Sequence, residues 1–330
     1  MQGSLSVQVP DRVCVDWFHD IDRKLDVVDL EAHRAPGHHI LDPGDVNWPF
    51  VDDPDPPALL FVRGNLDLLD HSVSVAVVGT RRCTSVGRQV AGALGADLAA
   101  EGVAVVSGLA LGIDAAAHRG AVACGGPAIG VVASGLDTIY PKTNGALWEQ
   151  IAAEGVLVSE VPLGQRPTRW RFPARNRMIA ALSQLVVVVE SHARGGALST
   201  VDEAMERGVP VGVVPGSTLS PASVGTNALL FDGAMPLRNA VDVLLTLGVE
   251  RRTAPTPPVE QGQTTLELDD LSSTDQDVLD AVRGGTVHID RLIELIGESP
   301  PVVGDIVRRL AERGWLEVHG HAVTATAPPR

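Results

Sequence analysis

Residues 75–87 have the sequence VAVVGTRRCTSVG, in which a short β-branched run ends at a glycine and a polar loop. Apolar residues then recur at Val90, Leu94 and Leu98, which is the i, i+4, i+8 spacing of a buried helical face. A buried strand that passes through a glycine turn into a helix is typical of the start of a βαβ unit. This segment therefore predicts an α/β protein built on a parallel sheet.

The same alternation of apolar runs and helical spacing continues along the middle of the chain. Six short runs predict strands. They are residues 75–78, 103–106, 128–132, 156–158, 185–189 and 211–214. The pattern predicts a doubly wound domain with a mostly parallel sheet.

Changes in composition predict four parts of the chain. Residues 1–72 form a short acidic segment that we expect to pack partly on the core, and residues 73–248 form the α/β domain. Residues 249–269 include a Pro- and Gln-rich stretch and predict a linker. Residues 270–330 contain three segments with helical spacing and a hairpin near Gly320, a pattern that matches a winged-helix domain.

Composition excludes several classes of protein. The 330 residues are 45% hydrophobic and 20% charged, which indicates a folded chain, and no apolar run reaches the length of about 20 residues that a membrane helix needs. The first ten residues lack the basic and apolar regions of a signal peptide. Cys14, Cys83 and Cys124 share no metal-ligand spacing. We therefore expect a cytoplasmic protein without a bound metal, a cofactor or a disulfide framework.

The net charge of −15 hides a local excess of positive charge. The acidic segment carries −9, the α/β domain 0 and residues 249–330 carry −6. Between Glu160 and Glu190 there are five arginines and no carboxylate. The arginines are Arg166, Arg169, Arg171, Arg175 and Arg177. Guanidinium groups form bidentate contacts with phosphates, so this cluster indicates an anionic partner.

Residues 169–182, RWRFPARNRMIAAL, carry most of that cluster. Pro173 is typical of a first helical turn, so we predict that Arg175 and Arg177 lie in that turn. Trp170 and Phe172 alternate with the arginines and can stack on unpaired bases. The segment predicts an interface for single-stranded DNA. The alternative is that the arginines pair with acids of the N-terminal segment and that the aromatic rings belong to the core.

Polar loops follow three of the predicted strands. They lie at residues 79–85, 107–114 and 223–227, where the carboxyl ends of strands and the starts of helices form anion sites in open α/β sheets. The first loop is neither a Walker A nor a G-x-G-x-x-G motif, so it does not indicate classical nucleotide binding. No catalytic set has convincing spacing, and His118 fits a packing or capping role better than a functional one.

Five motifs follow one another in a fixed order along the middle of the chain. They are GTR at 79–81, SGLALGID at 107–114, GLD at 135–137, FPARNRMIAALS at 172–183 and GTN at 225–227. This ordered series resembles the DNA-processing protein A (DprA/Smf) family. The resemblance implies an extended Rossmann-like domain that binds single-stranded DNA in a basic pocket, forms a homodimer and loads the RecA recombinase during natural transformation. It further implies that Arg81, Arg169, Phe172, Arg175 and Arg177 line the pocket. The N-terminal helical domain of longer relatives is not recognisable in this sequence.

We expect a non-catalytic DNA-binding protein in which arginines and helix starts hold phosphates and bases stack near Phe172. The candidate DNA-binding residues are Gly79, Arg81, Ser85, Ser107, Gly108, Asn144, Arg169, Phe172, Arg175, Asn176, Arg177 and Asn227.

Two other interpretations stay open. The first is a nucleotide-binding or nucleotide-cleaving Rossmann-like enzyme that uses Glu203 and Arg177 near Gly195 and Gly196. The second is a transcriptional regulator that reads DNA through the winged helix.

Overall fold

The computed structural model describes residues 12–15, 26–29, 37–70, 73–250, 273–283, 285–312 and 315–325. The chain divides into two compact units, Met1–Ala254 and Pro255–Arg330. Nearly all of the predicted linker lies outside the described residues.

Two antiparallel pairs of strands come first in the chain. Strand β1 (Arg12–Val15) pairs with β2 (Asp26–Asp29). Strand β3 (His38–Leu41) pairs with β4 (Leu60–Gly64), and β4 pairs in turn with a strand of the main sheet. Part of the acidic segment thus extends the sheet of the α/β region.

The main sheet of the first unit is parallel at its centre. Its remaining strands are β5 (Ser74–Val78), β6 (Ala104–Ser107), β7 (Ala128–Val131), β8 (Val156–Ser159), β9 (Leu185–Val188), β10 (Val211–Val213) and β11 (Met235–Pro236). Within the described residues, the order across the sheet is β11-β10-β9-β5-β6-β7-β8-β4-β3, and the strands from β11 to β8 are parallel. The six predicted strands are confirmed, each within one residue at either end.

Helices cover both faces of this sheet. They are α1 (Ser85–Ala100), α2 (Ile113–Ala123), α3 (Gly145–Glu154), α4 (Arg171–Ala181), α5 (Gly196–Glu206), α6 (Val224–Phe231) and α7 (Ala240–Leu247). Short 3-10 helices lie at Leu66–Asp70, Lys142–Asn144 and Pro221–Ser223.

Alternate side chains of each strand enter different cores. Val75 and Val77 pack with residues of α1, α2, α3 and α7, whereas Ala76 and Val78 pack with residues of α4 and α5 and with Trp48. The predicted doubly wound α/β fold is confirmed.

The chain reverses its direction across the sheet beside β5. Strands β6, β7 and β8 follow β5 on one side, and β9, β10 and β11 lie on the other. The loops that leave the carboxyl ends of β5 and β9 therefore diverge and open a crevice, which is where open α/β sheets bind their ligands. The strand order alone places a candidate site between these two loops.

The second unit is a small α/β module. Its helices are α8 (Ser273–Arg283), α9 (Ile289–Ile296) and α10 (Pro300–Glu312), and its strands are β12 (Val287–His288), β13 (Leu316–His319) and β14 (Ala322–Ala325). The strands form an antiparallel sheet in the order β12-β14-β13, and the turn between β13 and β14 contains Gly320 at a positive φ of 64°. Across the helices of both units that the structure describes, none has the length and apolarity to cross a membrane.

Candidate nucleic-acid interface

A cavity of about 850 Å³ opens at the crevice between the β5 and β9 loops. Its walls come mainly from the loop after β5, the loop after β9, residues 169–179 and the start of α5, and Ala110, Asp114 and Tyr140 complete them. This volume lies within the usual range of about 300–1,000 Å³ for a small-molecule site. The cavity therefore has room for a short part of an extended ligand.

The charge of the cavity wall is strongly positive. Arginines line it at five positions, and Asp114 is the only carboxylate among the described residues of the wall. The arginines are Arg81, Arg82, Arg169, Arg175 and Arg194. Arg81, Arg82, Arg169 and Arg194 are exposed, whereas Arg175 is buried. The wall thus combines four exposed cations with one buried cation.

Main-chain carbonyls hold the guanidinium of Arg175 in the floor of the cavity. Its Nη1 donates to the carbonyl oxygens of Gly108, at 2.9 Å, and Val131, while Nε donates to Oδ1 of Asn176 at 3.2 Å. Burial lowers the pKa of Arg175 to about 10, although Asp114 opposes this shift. A guanidinium with a pKa of about 10 stays charged at neutral pH, so Arg175 supplies a permanent positive charge.

Asp114 lies opposite this guanidinium and is itself held by the backbone. Its Oδ2 accepts a hydrogen bond from the amide of Gly108 at 3.1 Å. Burial raises the pKa of this carboxyl, and the charge of Arg175 lowers it. Gly108 lies so close to the Arg175 guanidinium that a Cβ at this position would overlap it. The glycine is therefore required for the approach of Arg175 to the backbone.

Phe172 lies in the cavity wall between two other side chains. The Cζ atom of Arg81 is 4.9 Å from the centroid of the Phe172 ring, and the ring of Tyr140 is 5.5 Å away, centroid to centroid. This geometry is that of a cation–π contact and a tilted aromatic pair. Trp170 is 45% exposed and is not among the residues that line the cavity.

Several predicted residues support the cavity from beneath. The hydroxyl of Ser107 donates to the carbonyl oxygen of Val77 at 2.7 Å. Asn144 is buried and donates from Nδ2 to the carbonyl oxygen of Leu109 at 3.0 Å. A Cβ at Gly79 would come within 2.6 Å of the side chain of Ile113. These contacts explain the residue types by packing and hydrogen bonding to the chain itself.

The cavity lies within a region that matches a known protein family. The model of the family called DNA recombination-mediator protein A matches residues 39–248, which include the whole cavity. The chain belongs to this family.

Named relatives agree with the family assignment. The DNA processing protein DprA of Bacillus subtilis is 37% identical over 231 residues, which are 69% of this chain and 77% of the relative. That of Streptococcus pneumoniae is 42% identical over 214 residues, 65% of this chain and 75% of the relative. The crystal structure of the S. pneumoniae protein superposes with a TM-score of 0.61 at 37% identity, covering 68% of this chain and 79% of that one.

A second solved structure is that of DNA processing protein A from Helicobacter pylori, described for its unique single-stranded DNA binding mode. It superposes with a TM-score of 0.58 at 33% identity and covers 64% of this chain and 95% of that chain.

The structure brings six of the twelve predicted DNA-binding residues into the wall of the main cavity. They are Gly79, Arg81, Arg169, Phe172, Arg175 and Asn176. Gly108 lines a smaller adjoining pocket of about 40 Å³. Ser85 is exposed at the start of α1, and Asn227 exchanges hydrogen bonds with Gly216; neither lines the cavity.

Arg177 lies outside the cavity wall, unlike the other arginines that the resemblance places there. Its guanidinium forms ion pairs with Glu160 at 2.6 Å and with Asp55 at 3.1 Å, and it is not among the residues that line the cavity. Asp55 belongs to the acidic N-terminal segment, so Arg177 forms the kind of internal pair that the alternative interpretation describes. Burial raises the pKa of the Glu160 carboxyl, and Arg177 lowers it.

The position of the arginines within α4 also differs from the prediction. The helix begins at Arg171, so Pro173 is its third residue and Arg175 and Arg177 lie in the second turn. Proline is tolerated throughout the first turn, where backbone N–H groups have no intrahelical partner. Proline alone therefore did not define where the helix begins.

The twelve candidate residues did not include Arg82, although it lies in the predicted anion-binding loop at 79–85, nor Tyr140, Arg194, Ser199 and Thr200, and all five line the cavity. For Arg194 a signal existed, because it follows β9 as Arg81 and Arg82 follow β5. Only the strand order shows that β5 and β9 are neighbours.

Glu190, at the end of β9, is fixed by the start of α1. Its carboxylate accepts hydrogen bonds from the amide and the hydroxyl of Thr84 at 2.8 and 2.5 Å, and the same hydroxyl accepts the amide of Gly87 at 3.0 Å as the helix N-cap. The loop after β5 is thus tied to the loop after β9.

Thr84→Ala removes the N-cap and one contact of Glu190, so we expect a loss of about 1–2 kcal/mol in the free energy of unfolding. Urea denaturation measures this loss, and Thr84→Ser, which keeps the hydroxyl, is the matched control. Equal midpoints for the alanine variant and the wild-type chain would contradict the role of Thr84.

Proposed function

We propose that this chain binds single-stranded DNA in the arginine-lined cavity and acts as a non-catalytic recombination mediator. The observation that carries the proposal is the contrast in charge. A chain of net charge −15 has five arginines and one carboxylate around one cavity. Such a concentration of guanidinium groups favours a polyanion. Membership of the recombination-mediator family supports the proposal, as does the single-stranded DNA binding of the H. pylori relative.

In the proposed mode of binding, the exposed arginines contact phosphates and Phe172 offers its ring to a base. Arg81 and Arg169 lie near the aromatic wall, and Arg194 lies near the start of α5. Arg175 adds charge from the floor without leaving its carbonyl partners. A base reaches an aromatic ring inside a cavity only when it is unpaired and unstacked, which favours single strands over duplex.

The resemblance described from the sequence extends this proposal to partners. We propose that the protein forms a homodimer, protects incoming DNA and loads the RecA recombinase in natural transformation. We propose that it does so in the cytoplasm. We propose further that residues 73–248 are the DNA-binding domain, that 249–269 are the linker and that 270–330 are a winged-helix domain. The three helices and three-stranded sheet of the second unit are consistent with that last assignment.

Two arginines of the predicted recognition helix in the second unit form ion pairs. Arg308 pairs with Asp305 at 3.0 Å, and Arg309 pairs with Asp275 at 2.6 Å. This pairing favours the cavity of the first unit over the second unit as the main DNA site.

The enzyme interpretation relied on Glu203 and Arg177, and both are engaged elsewhere. Glu203 accepts a hydrogen bond from Arg207 at 2.6 Å and does not line the cavity, while Arg177 pairs with Glu160. Asp114, the carboxylate that does line it, is held by the amide of Gly108. Because Glu203 and Arg177 lie outside the cavity wall and the amide of Gly108 already orients Asp114, binding without cleavage is the function we propose.

The proposal predicts that the full chain prefers a single-stranded 20-mer to its duplex by at least about tenfold. If three or four phosphates are held, the logarithm of the binding constant should fall with the logarithm of salt at a slope of about −2 to −3. Fluorescence anisotropy across a salt series measures both quantities. Equal affinity for the duplex, or release of a free base from nucleoside monophosphates, would contradict the proposed function.

A further inference from the structure

Helix α5 begins in the cavity wall with its backbone amides uncapped. Its N-cap is Gly195, which has no side chain to accept a hydrogen bond, and the helix continues from Gly196 for 11 residues. Its first turn contains no acidic residue. Gly195, Gly196 and Ala197 all line the cavity. The free amides and the positive end of the helix dipole therefore face a solvent-filled space.

Thr200 adds a second, independent feature at this place. It lies one turn after Gly196, so the two residues share a face of the helix. Its side chain lines the cavity, yet the residue is only 2% exposed. Among the described residues its hydroxyl has no hydrogen-bond partner, and its oxygen is not one of the fully buried unpartnered atoms. The hydroxyl therefore keeps its hydrogen available for an acceptor that enters the cavity.

Ser199 and Arg194 complete a set of donors around the same point. The Oγ of Ser199 accepts the amide of Asn176 at 3.0 Å, which leaves its own hydrogen free to be donated. Arg194 is exposed, lines the cavity and has no ion pair among the described residues. Two hydroxyls, the free amides and one guanidinium thus line the same cavity within the seven residues from Arg194 to Thr200.

We infer that the start of α5 is a phosphate subsite, in which the amides of Gly196 and Ala197, the hydroxyls of Ser199 and Thr200 and the guanidinium of Arg194 hold one phosphate group of the bound strand. The inference rests on the proposed function, because the strand supplies the phosphate. A tetrahedral anion with several acceptor oxygens satisfies these donors together, as phosphates do at other helix starts. The phosphate is either an internal diester or the monoester at a 5′ end.

A pair of substitutions at Gly196 tests the amide directly. Gly196 is the first residue of α5 and follows Gly195, whose φ and ψ of −133° and 150° are extended, so Gly196→Pro fits the helix start while removing the N–H. Gly196→Ala keeps the N–H, and its Cβ meets no atom within 4 Å. We expect the proline variant to bind a single-stranded 20-mer about tenfold more weakly than the alanine variant, with equal thermal midpoints.

Thr200→Val tests the hydroxyl in the same assay. It is expected to weaken binding about threefold to tenfold, because a buried acceptor loses one donor. Thr246→Val is the control, since the Thr246 hydroxyl donates to the carbonyl oxygen of Asp242 within α7 and does not line the cavity.

Oligonucleotides with a 5′-phosphate and a 5′-hydroxyl distinguish the source of the phosphate. If Gly196→Pro weakens the binding of both oligonucleotides equally, the subsite holds an internal diester. If it weakens only the binding of the 5′-phosphorylated strand, the subsite holds the terminal monoester. Equal affinity of the proline and alanine variants for both strands overturns the subsite. If the wild-type chain binds neither strand, the proposed function itself has failed, which is a different result.

Discussion

Replacing Arg81, Arg169 and Arg194 together by alanine is expected to weaken the binding of a single-stranded 20-mer about 50-fold at 0.15 M salt. Each phosphate held on a single strand contributes about 0.7 to the salt slope. At this salt concentration that contribution corresponds to about fourfold in affinity for each phosphate and about 50-fold for three. The slope itself should become shallower by about 2.

These three arginines are chosen because their charge is available. All three are exposed at the cavity, and none has an ion pair among the described residues. Arg175 would be a poorer choice, although the sequence analysis also assigns it to the DNA interface. Its guanidinium satisfies the carbonyl oxygens of Gly108 and Val131, so its removal would leave buried acceptors unpaired and change the fold together with the charge.

A matched control has the same change of net charge elsewhere on the first unit. Arg63, Arg88 and Arg238 do not line the cavity, and Arg63 and Arg238 form partly exposed pairs with Glu149 and Asp242 that contribute little to stability. The control triple variant should lose less than about fivefold in affinity. If both triple variants weaken binding equally, long-range charge rather than the cavity determines binding.

The α/β fold was predictable because it depends on patterns that are local in sequence. The β-branched run at 75–78 and the spacing of Val90, Leu94 and Leu98 are each visible within 25 residues. Thr84 is recognisable as a helix cap for the same reason. Even the aromatic and cationic residues of 169–175 are adjacent in the chain, so Arg169, Phe172 and Arg175 were assigned to one surface without coordinates.

The composition of the cavity wall was only partly predictable because it depends on strand order. The neighbours β5 and β9 are about 110 residues apart in the chain, and only their pairing brings Arg194 beside Arg81. The direction in which each arginine side chain points could not be predicted from the sequence either. Arg175 and Arg177 are two residues apart on one helix, which turns their side chains to different surroundings. One enters the floor of the cavity, and the other meets Glu160 and Asp55.

Arg177→Ala is expected to lower the free energy of unfolding by about 3–5 kcal/mol at neutral pH. The pair of Arg177 and Glu160 is buried, with side chains that are 8% and 10% exposed, so removal of the cation leaves a buried carboxylate uncompensated. Asp55 is 62% exposed, so the loss of its ion pair with Arg177 costs little stability. Urea denaturation at several pH values measures the effect.

The pH dependence of this loss has a definite sign. In the wild-type chain burial raises the pKa of the Glu160 carboxyl, and the charge of Arg177 lowers it. The variant keeps the effect of burial but loses the effect of Arg177, so its Glu160 pKa is higher still. A folded-state pKa above the unfolded value means that the folded variant takes up a proton more readily than the unfolded chain. The loss in the free energy of unfolding, relative to the wild-type chain, should therefore be largest at neutral pH and should shrink as the pH falls through the raised pKa of Glu160.

The double variant Glu160→Leu with Arg177→Met separates this structural role from DNA binding. It replaces a buried pair by apolar side chains, an exchange that is often neutral, so it should recover most of the stability lost by Arg177→Ala. Because Arg177 does not line the cavity, the salt slope for a single-stranded 20-mer should match that of the wild-type chain. A stable double variant whose slope is shallower by about 0.7 would return Arg177 to the phosphate-binding set and reject its assignment as an internal ion-pair residue.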